Sequence, residues 1–388
     1  MSWIIRGAVG ADGQQRDIAI TGAQVAADVQ DIAASVIDAA GLSVLPGIVD
    51  VHGDAFERQI MPRPGVRFDT AMALLDTDRQ MLANGITTAF HGVTVSWEPG
   101  LRSVEAARRL LEELTRLRPR LGCDTRLHIR WETFALDAME EVTGWLDAEP
   151  RPILAFNDHT TGSVLKGHIA RKIGQMAERS GLSREDYMAL LERVWSRREE
   201  VDAAVATMAA RATERGNVLL AHDECSPEER QRFRALGATS SEFPMNLETA
   251  AEARSAGEHV ILGAPNVVRG GSHNGALDAT QAVRQGLCTV LTSDYHYPSP
   301  LHAAFKLAAE MPGGLAEAWP LVSRNPAEAA GLTDRGVLEP GRRADLLLVD
   351  ASDPAHPQVV LTMVAGQIVY ARRSLVEQTG GAFAAAAE

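Results

Sequence analysis

Apolar positions follow two alternating rhythms from about residue 45 to residue 332. Short apolar runs occur at 87–95, 126–131, 153–156, 218–221, 240–243, 260–263 and 289–292. Between them lie stretches whose apolar residues recur every third or fourth position, as at 104–117, 184–215 and 276–285. The runs read as buried strands and the stretches as helices with one apolar side. With a further run at 44–51 in front, the pattern makes roughly eight strand–helix units, the count of a (β/α)8 TIM barrel. A doubly wound open sheet is the structural rival, but no dinucleotide-type glycine fingerprint supports it.

The two ends have a different texture. Residues 18–22 alternate and are punctuated by glycine, while 344–350 and 358–363 are compact apolar strands and 366–370 reads as a hairpin return. Residues 1–44 and 335–375 are therefore expected to pair into a small β-sandwich domain beside a barrel of residues 45–334. The Gly- and Ala-rich stretch 376–388 is expected to be a flexible tail.

Composition narrows the classes of function. Of 388 residues, 45% are hydrophobic and 23% charged, which are globular proportions. The formal net charge of −13 argues against broad electrostatic binding to nucleic acid or an anionic membrane, yet leaves room for a small anionic substrate held by a few arginines or a metal. Cys123, Cys225 and Cys288 are too few and too scattered for a disulfide framework or a thiolate zinc site. The first residues lack an apolar core of signal-peptide type and no run approaches membrane-spanning length, so a cytoplasmic protein is expected. Trp145, Trp195 and Trp319 suit a core or an interface equally, and a homodimer is the expected assembly.

The chemistry-bearing residues sit where strands should end. His52 and Asp54 close the first run; positions two apart point to one face of a strand, so both enter the barrel mouth. Glu132, Asp158 with His159, His222 with Asp223 and Glu224, and Asp294 each follow a later strand. A barrel gathers these ends on its C-terminal rim, where active sites of this architecture lie. Imidazoles mixed with carboxylates suit one or two divalent ions such as Zn²⁺ or Mn²⁺. A single histidine at a strand end is more often a satisfied partner of a carbonyl, but five strand ends each delivering such a group favour the metal. His91, His128, His168, His259 and His356 are assigned structural or surface roles, with His128 expected to point away from the mouth.

Several motifs carry a resemblance. Leu45-Pro-Gly-Ile-Val-Asp-Val-His-Gly-Asp54 and Arg335-Gly-Val-Leu-Glu-Pro-Gly-Arg-Arg-Ala-Asp-Leu-Leu-Leu-Val-Asp350 resemble the first-strand and return segments of the amidohydrolase superfamily. His52-Gly-Asp54 departs from the usual His-x-His of that superfamily. Together with Met61-Pro-Arg-Pro64, Asn84-Gly-Ile-Thr-Thr88, His128-Ile-Arg-Trp-Glu132, Ser241-Glu-Phe-Pro244, Gly263-Ala-Pro-Asn-Val-Val-Arg-Gly-Gly-Ser-His273 and Ser293-Asp-Tyr295, it is similar to the PhnM family over about residues 40–350. These are the α-D-ribose 1-methylphosphonate 5-triphosphate diphosphatases of carbon–phosphorus lyase pathways.

The resemblance implies a metal-dependent hydrolase that cuts a 5-triphosphate into a 5-phosphate and pyrophosphate. It implies His52, Asp54, Glu132, His159, His222 and Asp294 as metal ligands, Glu132 taking the bridging place that no lysine fills, with Glu242 in reserve. Asp294 would be the general base. The triphosphate would meet Arg63, Arg269, His273 and an anion nest at Gly270, Gly271 and Ser272, with Arg67 and Lys166 closing over it. A cyclic amidase or deaminase on the same frame, and a non-catalytic barrel scaffold, are the competing readings.

Overall fold

The computed structural model describes residues 2–28, 34–158, 170–271, 277–372 and 375. Eight parallel strands form one sheet: β6 (Ile48–Gly53), β7 (Ile86–Val95), β8 (Asp124–Glu132), β9 (Ile153–Asn157), β10 (Leu219–His222), β11 (Ser240–Glu242), β12 (His259–Gly263) and β13 (Val290–Thr292), each paired with the next in chain order. A parallel bridge between Gly53 and Asp294 brings the last strand back to the first and closes the barrel. Asp50 fastens the seam from the β6 side: its carboxylate accepts from the hydroxyls of Thr292 and Ser293 and from the Ser293 amide.

Strand periodicity sorts the side chains. On β8, Leu127, Ile129 and Trp131 pack outward against Leu110, Leu114 and Leu117 of the helix Val104–Leu117, while His128, Arg130 and Glu132 face the barrel axis. Phe90, Ile153, Leu220, Ile261 and Val290 form an apolar floor inside the strands. The covering helices begin at side-chain caps supplied by Asp69, Ser103, Ser183, Ser226, Asn246 and Asp278, each accepting from an amide of the first turn.

Both chain ends build a second, mixed sheet: β1 (Ser2–Val9), β2 (Gln15–Thr21), β3 (Gln24–Ala26), β4 (Ser35–Asp38) and β5 (Ser43–Pro46) from the front, and β14 (Leu346–Asp350), β15 (Gln358–Val364) and β16 (Gln367–Ala371) from the back. Trp3, Ile5, Ile20, Ile37, Leu346 and Leu361 share one core there. Two predicted elements divide. The run 44–51 splits at Gly47, its first half pairing with β14 and its second becoming β6. The helical stretch 184–215 breaks into Arg184–Trp195 and Arg198–Glu214. The expected tail at 376–388 lies outside the described residues. Among the described residues no helix is long and apolar enough to cross a membrane.

Candidate metal centre

The closing seam of the barrel also builds the site. Asp294 donates its amide to the His52 carbonyl at 2.9 Å, and Asp54 donates its own to the Asp294 carbonyl at 2.8 Å. This reciprocal pairing brings the Asp54 and Asp294 carboxylates together with His52, their ligand atoms all within 4.8 Å of one another. Asp294 holds φ 52°, and Asp223 and Phe243, directly after β10 and β11, hold φ 60° and 52°. Three non-glycine residues in the left-handed region at three strand ends are strained by about 1–3 kcal/mol each, as is common where a site demands a fixed aim.

A second group lies deeper. His52 Nδ1 and Glu242 Oε1 are 2.8 Å apart, and Glu242 Oε2 faces His128 Nε2 at 3.5 Å without a hydrogen bond. His128 Nδ1 donates to the Val51 carbonyl at 2.8 Å, which leaves Nε2 as a bare acceptor. Two buried acceptors aimed at each other need a cation or a proton between them. His52, His128 and Glu242 also lie within 4.8 Å ligand-to-ligand. The donor set, imidazole and carboxylate, fits a divalent ion in either group, with His52 common to both.

Burial governs the protonation of these groups. It pushes His52 well below the usual imidazole range, assisted by the charges of Arg130 and His222, and brings His128 down to about 4. It lifts Asp54 to about 6, with Glu57 adding repulsion, and Asp294 to about 7, with Asp54 adding more. Glu132 is raised to about 8 by burial, then by Asp158 and Glu98.

A cavity of about 390 Å³ opens above the two groups, lined by His52, Asp54, Asp158, His222, Asp223 and Asp294, with Arg102, Arg130 and Arg269 around them. Arg102 forks onto Glu57 with two bonds of 2.9 Å. Arg58 lies over the Tyr295 ring beside the same mouth.

Several expectations change in this frame. His128 faces inward, because it shares strand parity with Glu132, and it stands against Glu242. Glu242 occupies the place beside His52, whereas Glu132 turns to its neighbour on β9, accepts from Asn157 Nδ2 at 3.1 Å and stands outside both ligand groups. Gly270 and Gly271 form no anion nest: their amides donate to Asn266 and Val267 carbonyls and cap the helix Ala264–Arg269. Arg63 is exposed in a turn with Val66 and does not line the cavity; Arg67 is exposed beside a separate hollow near Phe56. His159, Lys166, Ser272 and His273 lie outside the described residues. Sequence reading missed Arg130, although the spacing His128-x-Arg130-x-Glu132 carries its signal. Arg102 sits in a loop and has none.

A barrel that gathers imidazoles and carboxylates at its C-terminal strand ends, with a sheet built from both chain termini, defines an amidohydrolase. Residues 196–370 match the Amidohydrolase family (Amidohydro_3). The fold is similar to that of N-isopropylammelide isopropylaminohydrolase from Burkholderia multivorans, with TM-score 0.63 and 20% identity over 95% of this chain and 98% of that one. A shorter similarity, 29% identity over 157 residues, joins 38% of the chain to 26% of an adenine deaminase from Brucella suis biovar 1. Over 334 residues the chain is 31% identical to the alpha-D-ribose 1-methylphosphonate 5-triphosphate diphosphatase of Escherichia coli (strain K12), covering 82% of this chain and 85% of that protein. The chain belongs to this PhnM family of amidohydrolases.

Proposed function

We propose that the protein hydrolyses the 5-triphosphate of α-D-ribose 1-methylphosphonate 5-triphosphate to the 5-phosphate and pyrophosphate, in cytoplasmic phosphonate catabolism, with Zn²⁺ or Mn²⁺ as cofactor. The observation that carries this reading is that Arg102, Arg130 and Arg269 line the same cavity as His52, Asp54 and Asp294. Arg102 is engaged by Glu57, but Arg130 and Arg269 bring guanidinium to the cavity that a neutral cyclic amide would not use and the paired oxygens of a triphosphate would.

His52, His128, Glu242, Asp54 and Asp294 are the residues that would hold the cation. Bound there, it would supply Lewis-acid polarisation of a phosphoryl oxygen and a water of lowered pKa. The bond to be cut joins the α- and β-phosphorus through their bridging oxygen. Water's oxygen bonds to one of these phosphorus atoms, the bridging oxygen leaves with the bonding pair, and the water's proton passes to the Asp294 carboxylate. The left-handed backbone at Asp294 fixes the direction of that carboxylate, and the seam hydrogen bonds hold it against Asp54.

Phosphorus NMR on protein reconstituted with Zn²⁺ or Mn²⁺ tests the reading. Pyrophosphate and the 5-phosphate should appear together, and Asp294→Asn should slow the reaction by about 10²–10⁴-fold. Orthophosphate in place of pyrophosphate would assign terminal phosphatase chemistry instead. Absence of turnover despite bound metal would move the assignment to another substrate of the amidohydrolase frame.

A further inference from the structure

Three arginines of the described residues are almost wholly buried: Arg130, Arg230 and Arg335. Arg230 is bonded to Glu224 and to the carbonyls of Ala238 and Ser240, and Arg335 to Asp124, Asp334 and Thr88. Arg130 differs from both. Its Nη1 lies 3.6 Å from Asp54 Oδ2, beyond hydrogen-bond reach, and its Nη2 meets His222 Nε2 at 3.2 Å. Its Nε is unbonded, as is that of Arg230, but where Arg230 has Glu224 and Glu258 at 3.1 Å, no carboxylate among the described residues comes within hydrogen-bond reach of the Arg130 fork. Only 4% of the residue is exposed, yet it lines the cavity between Asp54 and His222.

Burying a guanidinium costs several kcal/mol unless an anion with matched geometry offsets it. In Arg230 and Arg335 the protein itself supplies that anion. At Arg130 the carboxylate in range is Asp54, at 3.6 Å, which belongs to the candidate metal group. The incompletely paired fork therefore lines a cavity open to an external anion, and a phosphoryl group offers two oxygens at the spacing a guanidinium binds.

We propose that Arg130 is a catalytic residue whose guanidinium grips the non-bridging oxygens of the phosphoryl group under attack. Its fixed charge meets the negative charge that builds on those oxygens as the bridging P–O bond breaks. The inference rests on the diphosphatase reading for the reaction but stands separately for anion recognition. Position on β8, between the inward-facing His128 and Glu132, holds the fork with strand precision and makes the residue a filter against neutral substrates of the same fold.

The experiment compares wild type, Arg130→Gln and Arg130→Lys in three measurements: metal content by mass spectrometry, binding of inorganic tripolyphosphate to the metal-free protein by calorimetry, and turnover of the ribose triphosphate by the metal-loaded protein. Arg130→Gln should keep the wild-type metal content, weaken tripolyphosphate by about 10-fold or more, and lower turnover by about 10²–10³-fold. Arg130→Lys, the variant that keeps the buried charge and safeguards the fold, should recover part of the binding and little of the turnover, since one ammonium does not span two oxygens. Unchanged tripolyphosphate binding in both variants overturns the proposal. So does loss of metal with unchanged tripolyphosphate binding, which would make Arg130 a partner of Asp54 and His222 only. A wild type that turns over no triphosphate, but whose tripolyphosphate binding falls in Arg130→Gln, supports the anion grip and refutes the reaction assignment alone.

Discussion

Removal from water, more than any single partner, sets the charge state of this site. Glu132 shows the consequence. Its carboxyl is raised to about 8 in the fold against 4.5 for an ordinary glutamate, so the folded protein binds that proton more tightly than the unfolded chain. The stability this contributes is present below about pH 4.5 and lost as pH rises through 8. In metal-free protein, Glu132→Gln should flatten the fall in melting temperature across that window and gain on the wild type toward its alkaline end. Parallel melting profiles for the two proteins would refute the assignment. At this scale the strand-end rule made the position of His52, Asp54, His222 and Asp294 at the cavity legible in the chain, because a residue following a buried parallel strand has nowhere to go but the rim. It did not show which of them stand in a ligand group. His128 shows where reading failed. Period two places it on the inner face with Glu132, but how deep a side chain sits, and that Glu242 comes to meet it from another strand, depends on the registration of β8 against its neighbours.

Among elements, the informative junction is Gly47, where the chain leaves the end sheet and enters the barrel. Its amide donates to the Asp345 carbonyl on the return segment, and the next amide donates to Gly85. A Cβ at this position would lie 2.2 Å from Thr87 Oγ1 and 2.8 Å from Thr87 Cβ. Thr87 is β-branched and buried, so it has little freedom to yield. Gly47→Ala should therefore cost about 1–3 kcal/mol in urea unfolding, and Thr87→Ala in the same chain should restore part of it. Independent, additive losses would show that the close approach is not the cause. The apolar run 44–51 looks continuous, and nothing local marks its division. What divides it is competition between two sheets for backbone partners, with β14 pairing up to Pro46 and β7 pairing from Ile48. Strands β7 to β13 were legible to within a residue or two because each is a short apolar run between polar stretches.

Across the whole molecule, Arg335 ties the barrel to the end sheet. It donates to Thr88 Oγ1 at 2.8 Å and Asp124 Oδ2 at 2.6 Å, and Nη1 lies 4.0 Å from Asp345 just before β14. Arg335→Ala leaves half-buried Asp124 with Arg126 and buried Asp345 with Arg343 as their remaining partners, and should cost about 1–3 kcal/mol. Thermal unfolding of Arg335→Ala, Asp124→Ala and the pair should show losses well short of additive; full additivity would deny the clamp.

The alternation of buried strands and one-sided helices, the two sheet-forming ends and the metal-ligating residue types were determined by the sequence itself, since period and chemistry are local properties. Which of those residues stand together was decided by tertiary structure. Closure of β13 onto β6 sets Asp294 against Asp54, barrel registration sets Glu242 against His128, and the capped helix at Gly270 withdraws the amides that the glycines alone had suggested for phosphate. Arg130 keeps its fork short of a full carboxylate pairing for the same reason: the acid in range, Asp54 at 3.6 Å, belongs to the ligand group that barrel closure assembles.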